Sequence, residues 1–122
     1  MKDLFFVFIG GGLGSVLRYA FSKLLNPITD FMPLGTLLAN VFSCFLMGII
    51  LHFLSVKLLS ETYRVLVIVG FCGGCSTFST FSKEILDFLI AEKYLNFAIY
   101  GTFSFLVGML MLWAGMALAK IF

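Results

Sequence analysis

The sequence predicts an all-α membrane protein with four transmembrane helices, the third of them broken, assembled as an antiparallel, dual-topology homodimer. Composition is the first reason: 61% of the 122 residues are hydrophobic and only 11% are charged, which excludes an ordinary soluble domain. A bilayer core about 30 Å thick needs roughly 20 apolar residues of helix. Segments of that kind cover residues 4–25, 34–56, 65–90 and 94–119, so 1–122 reads as a single four-helix transmembrane domain. Asn26 to Asp30, Lys57 to Arg64 and Ala91 to Lys93 separate them. The first segment has no clear small-residue cleavage site and runs into Arg18-Tyr19, unlike a removable signal peptide.

Charge placement is the second reason. If all four segments cross, Lys2, Lys57, Arg64 and Lys120 fall on one side, and Arg18, Lys23, Lys83 and Lys93 on or toward the other. That balance gives the positive-inside rule nothing to act on, as expected of a chain that inserts both ways and pairs antiparallel. Four short helices also make a poor transport unit alone, which points to a symmetric dimer.

The third reason is the run Gly70-Phe-Cys-Gly-Gly-Cys-Ser-Thr-Phe-Ser-Thr-Phe-Ser82, which sets glycines, hydroxyls and phenylalanines inside an uncharged apolar stretch. A helix interrupted in lipid leaves backbone groups unpaired, and these are tolerated only where protein, water or an ion covers them. The stretch therefore reads as a site.

Taken in order, the first helix carries Gly10, Gly14 and Gly11, Ser15 at four-residue spacing, a small-residue pattern for close helix packing. A phosphate-binding loop is excluded because no strand precedes the glycines. Arg18 follows one turn on and either snorkels to the interface or lines an aqueous entrance. In the second helix, Thr36, Asn40, Ser43 and Met47 share a face. Asn40 near mid-membrane needs partners, either on another helix or as an amide N–H turned to an anion.

The third helix is expected to divide near Gly73-Gly74, where freed carbonyls can coordinate a cation and later hydroxyls can serve an anion. Phe78 and Phe81 lie on one face, and phenyl edges are electropositive. They either favour an anion or simply pack. Lys83 and Glu84 mark where the helix leaves the core. The fourth helix bears a stripe of Tyr100, Ser104 and Gly108, which lines a pore or packs on a neighbour. Cys72-Gly-Gly-Cys75 has redox or metal spacing, but no His, Asp or Glu accompanies it in sequence, and small-residue packing is the favoured reading.

Together Gly11-Gly12-Leu-Gly14-Ser15-Val-Leu-Arg18-Tyr19, Gly35-Thr-Leu-Leu-Ala-Asn40 and the Gly70–Ser82 run make the chain resemble the Fluc (CrcB-type) fluoride channels over nearly its whole length. The resemblance implies an antiparallel homodimer in the cell (inner) membrane, in contact with lipid, with two fluoride pores and a structural Na+ at the two-fold axis. No nucleic acid is expected among its partners. By position in the motif, Na+ would be held by the backbone carbonyls of Gly73 and Ser76. The pore would be lined by Asn40, Phe78 and Phe81, with a hydroxyl track of Ser79, Thr80, Tyr100 and Ser104. Arg18 and Glu84 would be vestibule residues. Ser76 stands where threonine is usual, Ser43-Cys44 replaces a Gly-Ser pair, and Gly108 falls where a hydroxyl is often found.

The chemistry fits that implication. Fluoride is strongly hydrated, so a pore must replace its water with close donors yet hold it weakly enough to let go. Three other functions compete. A small proton-coupled multidrug exporter needs a titratable carboxylate deep in the membrane, whereas Asp3 lies at the extreme end of the first helix, Glu84 lies near an exit, and the second and fourth helices have none. A membrane thiol oxidoreductase would use Cys72 and Cys75, and an assembly subunit would transport nothing.

Overall fold

A computed structural model describes all residues, 1–122, and consists of helices without strands. Helix α1 (Lys2–Leu25) runs into a 3-10 turn (Asn26–Ile28), and α2 (Leu34–Ser55) follows. The third span then comes in pieces: α3 (Glu61–Tyr63), a π-helical stretch (Arg64–Cys72), α4 (Gly73–Cys75) and α5 (Phe78–Ile90). Helix α6 (Tyr94–Ala119) completes the chain. Four stretches are long and apolar enough to cross a bilayer: Lys2–Ile28, Leu34–Ser55, Glu61–Ile90 and Tyr94–Ala119. This is a multi-pass membrane protein. The third span begins at Glu61 rather than near 65, and an exposed ion pair joins Glu61 and Arg64 in its first turn.

The turns between spans are short and closed by backbone geometry. Lys57 and Glu92 adopt positive φ, 59° and 56°, just beyond α2 and α5. Leu58 and Lys57 donate back to the Phe53 and Leu54 carbonyls at 2.9 and 3.0 Å, and Lys93 and Glu92 do the same to Phe88 and Leu89 at 2.8 and 3.1 Å. These paired bonds satisfy the last carbonyls of each helix, a task glycine usually performs. At the other end of α2, Asn26 Oδ1 takes the Gly35 amide at 2.8 Å, which ties the α1–α2 turn to the new helix.

Small residues form the seams. Gly10 and Gly14 of α1 are buried against the third span, where an added methyl would overlap the Leu66 and Phe71 carbonyls. The register, Gly10 by Gly70 and Gly14 by Cys75, makes α1 and the third span parallel. Gly108 of α6 faces Cys44 of α2 and Gly48 of α2 sits on Leu112, four residues on in both helices, so those two are also parallel. Successive spans therefore alternate in direction. Close approach of this kind is how helices associate in lipid, where there is no hydrophobic drive between them. Only 14 of 122 residues are buried, and those are mostly Gly, Ala, Ser, Thr and Cys; large apolar side chains face outward, toward lipid or another subunit.

Candidate functional site

Helical geometry stops at Ser76-Thr77. Ser76 has ψ 154° and Thr77 has φ −151° and ψ 117°, both extended, while Gly73 remains helical at φ −63° and ψ −35°. The interruption thus lies after the glycine pair, not at it. Gly74 is spent on close packing, since a methyl there would overlap Gly11. Side chains hold the extended pair instead. The Thr77 amide donates to Asn40 Oδ1 at 2.7 Å, and Asn40 Nδ2 donates to the Thr77 carbonyl at 3.5 Å. Thr77 Oγ1 then accepts the Thr80 amide at 3.2 Å as the N-cap of α5. Ser76 Oγ turns back to the Cys72 carbonyl at 2.7 Å.

These bonds redirect two amides. In a continuous helix the Thr77 N–H would serve the Gly73 carbonyl and the Thr80 N–H the Ser76 carbonyl. Both go elsewhere, to Asn40 Oδ1 and Thr77 Oγ1. The neighbouring Gly74 carbonyl is occupied: Arg18 Nε donates to it at 3.1 Å and Ser15 Oγ at 3.4 Å. Arg18 of α1 is thus tied through its guanidinium to the backbone of the third span.

A cavity of about 370 Å³ opens beside the interruption. It is lined by Asn40 and Cys44 of α2, Ser76, Thr77, Phe78 and Phe81 of the third span, and Ser104, Phe105, Gly108 and Met109 of α6. No charged side chain is among them. Ser104 Oγ is buried without a hydrogen-bond partner. The Phe78 and Phe81 rings lie 6.4 Å apart, and Phe78 is 82% exposed, so the cavity is open on that side. Gly108 faces Cys44, with room for a side chain: an added Cβ would meet Sγ at 3.6 Å.

Of the pore residues expected from sequence, Asn40, Phe78, Phe81 and Ser104 come together here. Ser79 and Thr80 lie outside the cavity and bond to Thr77. Tyr100 is fully buried, and its hydroxyl donates to Glu84 Oε2 at 2.8 Å. Glu84 Oε1 accepts from Thr36 at 2.7 Å. Glu84 also borders a second cavity of about 270 Å³ at the α1–α2 turn, with Asn26, Thr29, Asp30 and Asp87. Its level is that of Thr36, in the first turn of α2, and the Phe81 ring stands 5.2 Å from Tyr100 between the two cavities. The four-residue stripe of α6 is therefore divided. Tyr100 braces the mouth, while Ser104 and Gly108 line the deeper cavity.

Thr77 was not among the residues singled out in the sequence. Its signal was a threonine three residues ahead of Thr80 at the start of a helical run, an N-cap pattern obscured by the surrounding hydroxyls. Cys72 and Cys75 are free thiols with no exposed surface, and Cys75 Sγ approaches the Ala39 carbonyl at 3.8 Å. Ser43, on the expected polar face of α2, bonds to its own helix at the Ala39 carbonyl, 2.8 Å away.

Comparison with known proteins places the chain in one family. The family described as "CrcB-like protein, Camphor Resistance (CrcB)" matches residues 5–116. A protein of Serratia proteamaculans (strain 568) named "Fluoride-specific ion channel FluC" is 40% identical over 122 residues, covering 93% of this chain and 96% of its own. Proteins of the same name from Escherichia coli strains UMN026 and K12 are each 42% identical over 109 residues, covering 88% of this chain and 85% of theirs. With the family matched over nearly the whole length, the chain belongs to the CrcB-like family.

Proposed function

We propose that this protein is a fluoride-selective passive ion channel of the inner membrane, which exports fluoride and lowers its toxicity in the cytoplasm. The observation that carries the reading is the uncharged cavity: an amide, an unpartnered buried hydroxyl and two phenylalanines converge where no lysine or arginine does. Such donors replace the water around a small anion, and phenyl edges add weak positive potential. A fixed cation would hold the ion too firmly to conduct. The family relatives bear the name of fluoride-specific channels, in keeping with this chemistry.

The working unit is an antiparallel homodimer with two pores. The exposed Phe78 ring and the open cavity wall support it, since a second subunit would complete what one leaves unfinished. A Na+ at the dimer centre suits the residues present. Gly73 and Ser76 have carbonyls that the diverted amides of Thr77 and Thr80 do not serve, and carbonyl oxygens are hard ligands suited to such an ion. Bound there, Na+ would supply a structural positive charge that joins the subunits. Arg18 and Glu84 are assigned to the vestibules.

A thiol oxidoreductase is disfavoured by the burial of Cys72 and Cys75. A proton-coupled exporter is disfavoured because Glu84 lies in the first-turn layer of α2 with both carboxylate oxygens already bonded. Expression in bacteria deprived of their own fluoride exporter tests the function. Growth in fluoride-containing medium should be restored by this chain; continued sensitivity, with the protein present in the membrane, would overturn the proposal.

A further inference from the structure

We infer that Asn40 and Thr77 are the positioning residues of the cation site, so that the amide lining the pore cavity also holds open the carbonyls that would bind Na+. The inference rests on the Na+ reading above and extends it from the ligands to the residues that make them available.

A helix withholds its carbonyls from a cation because each is taken by the amide four residues on. Exposing two of them inside a membrane span requires that their two amides find other acceptors, or the unpaired N–H groups make the opening costly. The structure meets that requirement one for one. The amide that would close Gly73 belongs to Thr77, and Asn40 Oδ1 takes it at 2.7 Å. The amide that would close Ser76 belongs to Thr80, and Thr77 Oγ1 takes it at 3.2 Å. Three neighbouring carbonyls are taken by other donors. Gly74 is occupied by Arg18 and Ser15, Cys72 by the amide and hydroxyl of Ser76, and Thr77 by Asn40 Nδ2.

The Asn40 amide is thereby fixed in orientation. Its Oδ1 must face the Thr77 N–H, which turns Nδ2 toward the Thr77 carbonyl and the cavity that Asn40 lines. At 3.5 Å the Nδ2 bond is long, leaving the amide's donor capacity for an ion in the cavity. One side chain thus serves the pore with its nitrogen and the cation site with its oxygen.

The test is the Na+ dependence of dimer stability, not flux. Purified protein in detergent is unfolded thermally across a Na+ titration, with N-methylglucamine holding ionic strength constant. Thr77→Val keeps the side-chain shape but loses Oγ1, freeing the Thr80 amide to close on Ser76; Thr77→Ser restores the acceptor. A carbonyl retaken by its own amide competes with the cation by about one hydrogen bond, which corresponds to roughly tenfold in affinity. Thr77→Val and Asn40→Leu should therefore each raise the half-saturating Na+ concentration by about tenfold or more, and Thr77→Ser should bring it back. Wild-type Na+ response in both Thr77→Val and Asn40→Leu would overturn the inference. If Asn40→Leu is not recovered folded, the Thr77 pair decides alone: an unchanged response in Thr77→Val, or no recovery in Thr77→Ser, overturns it. A wild-type protein whose unfolding ignores Na+ would instead remove the Na+ reading itself, a result distinct from either.

Discussion

The hydroxyl of Thr36 donates to Glu84 Oε1 at 2.7 Å, joining the first turn of α2 to the middle of α5 while Tyr100 of α6 holds the other carboxylate oxygen at 2.8 Å. Thr36 and Tyr100 have no exposed surface, so three spans meet at one carboxylate, which borders the second cavity. Removing either donor leaves a carboxylate oxygen poorly satisfied. Thr36→Val and Tyr100→Phe should each destabilise the protein by about 1–3 kcal/mol in denaturant unfolding. The double variant should fall short of the sum, because both act on the same group. Full additivity would mean that the two bonds are independent.

The glycines differ in what they can accept. Gly48 sits directly on the Leu112 carbonyl, whereas a side chain at Gly108 would make ordinary contact with Cys44 Sγ at 3.6 Å. Gly108→Ser should fold normally and add a hydroxyl to the cavity wall, with fluoride efflux equal to or above that of the parent. Gly48→Ser should cost on the order of 2 kcal/mol or more through forced separation of α2 and α6. Thermal unfolding of the pair in detergent separates these outcomes.

Phe78 and Phe81 are predicted to matter for conduction and not for assembly. Phe78→Ile or Phe81→Ile should slow fluoride efflux by roughly tenfold or more, as loss of an aromatic contact of about 1.5 kcal/mol implies. Size-exclusion chromatography should still show a dimer. Wild-type efflux from both variants would reduce the rings to packing.

The buried thiols should be dispensable for function. Cys72→Ala and Cys75→Ala lose little volume and no hydrogen bond stronger than the 3.8 Å contact from Cys75 to Ala39. Fluoride efflux near the parent level is expected. Abolished activity in a folded Cys72→Ala protein would revive thiol chemistry.

The Na+ proposed at the dimer centre is structural and should not travel. Fluoride flux measured at fixed membrane potential should be the same with or without a Na+ gradient. Flux that scales with the gradient would mean cotransport.

Most of the architecture was legible in the sequence because lipid restricts it so severely. Hydropathy located all four spans, and the four-residue spacing of Gly10 and Gly14 marked a real helix seam. The interruption was read one turn too early. Glycine signals both a weak helix and a close contact, and Gly74 is used for the second while remaining helical. What stops the helix is a pair of side-chain acceptors, one of them on α2, and a partner 37 residues away in sequence leaves no local trace. The same holds for the mouth. Thr36, Glu84 and Tyr100 were each marked along the chain for other roles, and only the register of three spans brings them to one carboxylate. Arg18 shows the limit from the other side, since its Gly74 carbonyl partner lies on another span.

Selective fluoride conduction is tested most directly in liposomes reconstituted with the purified dimer and loaded with fluoride and chloride. With valinomycin and a K+ gradient to carry the counter-charge, ion-selective electrodes follow both anions at once. Rapid fluoride release with chloride retained is the predicted result. Retention of both by demonstrably dimeric protein, or release of both together, would contradict a fluoride-selective channel.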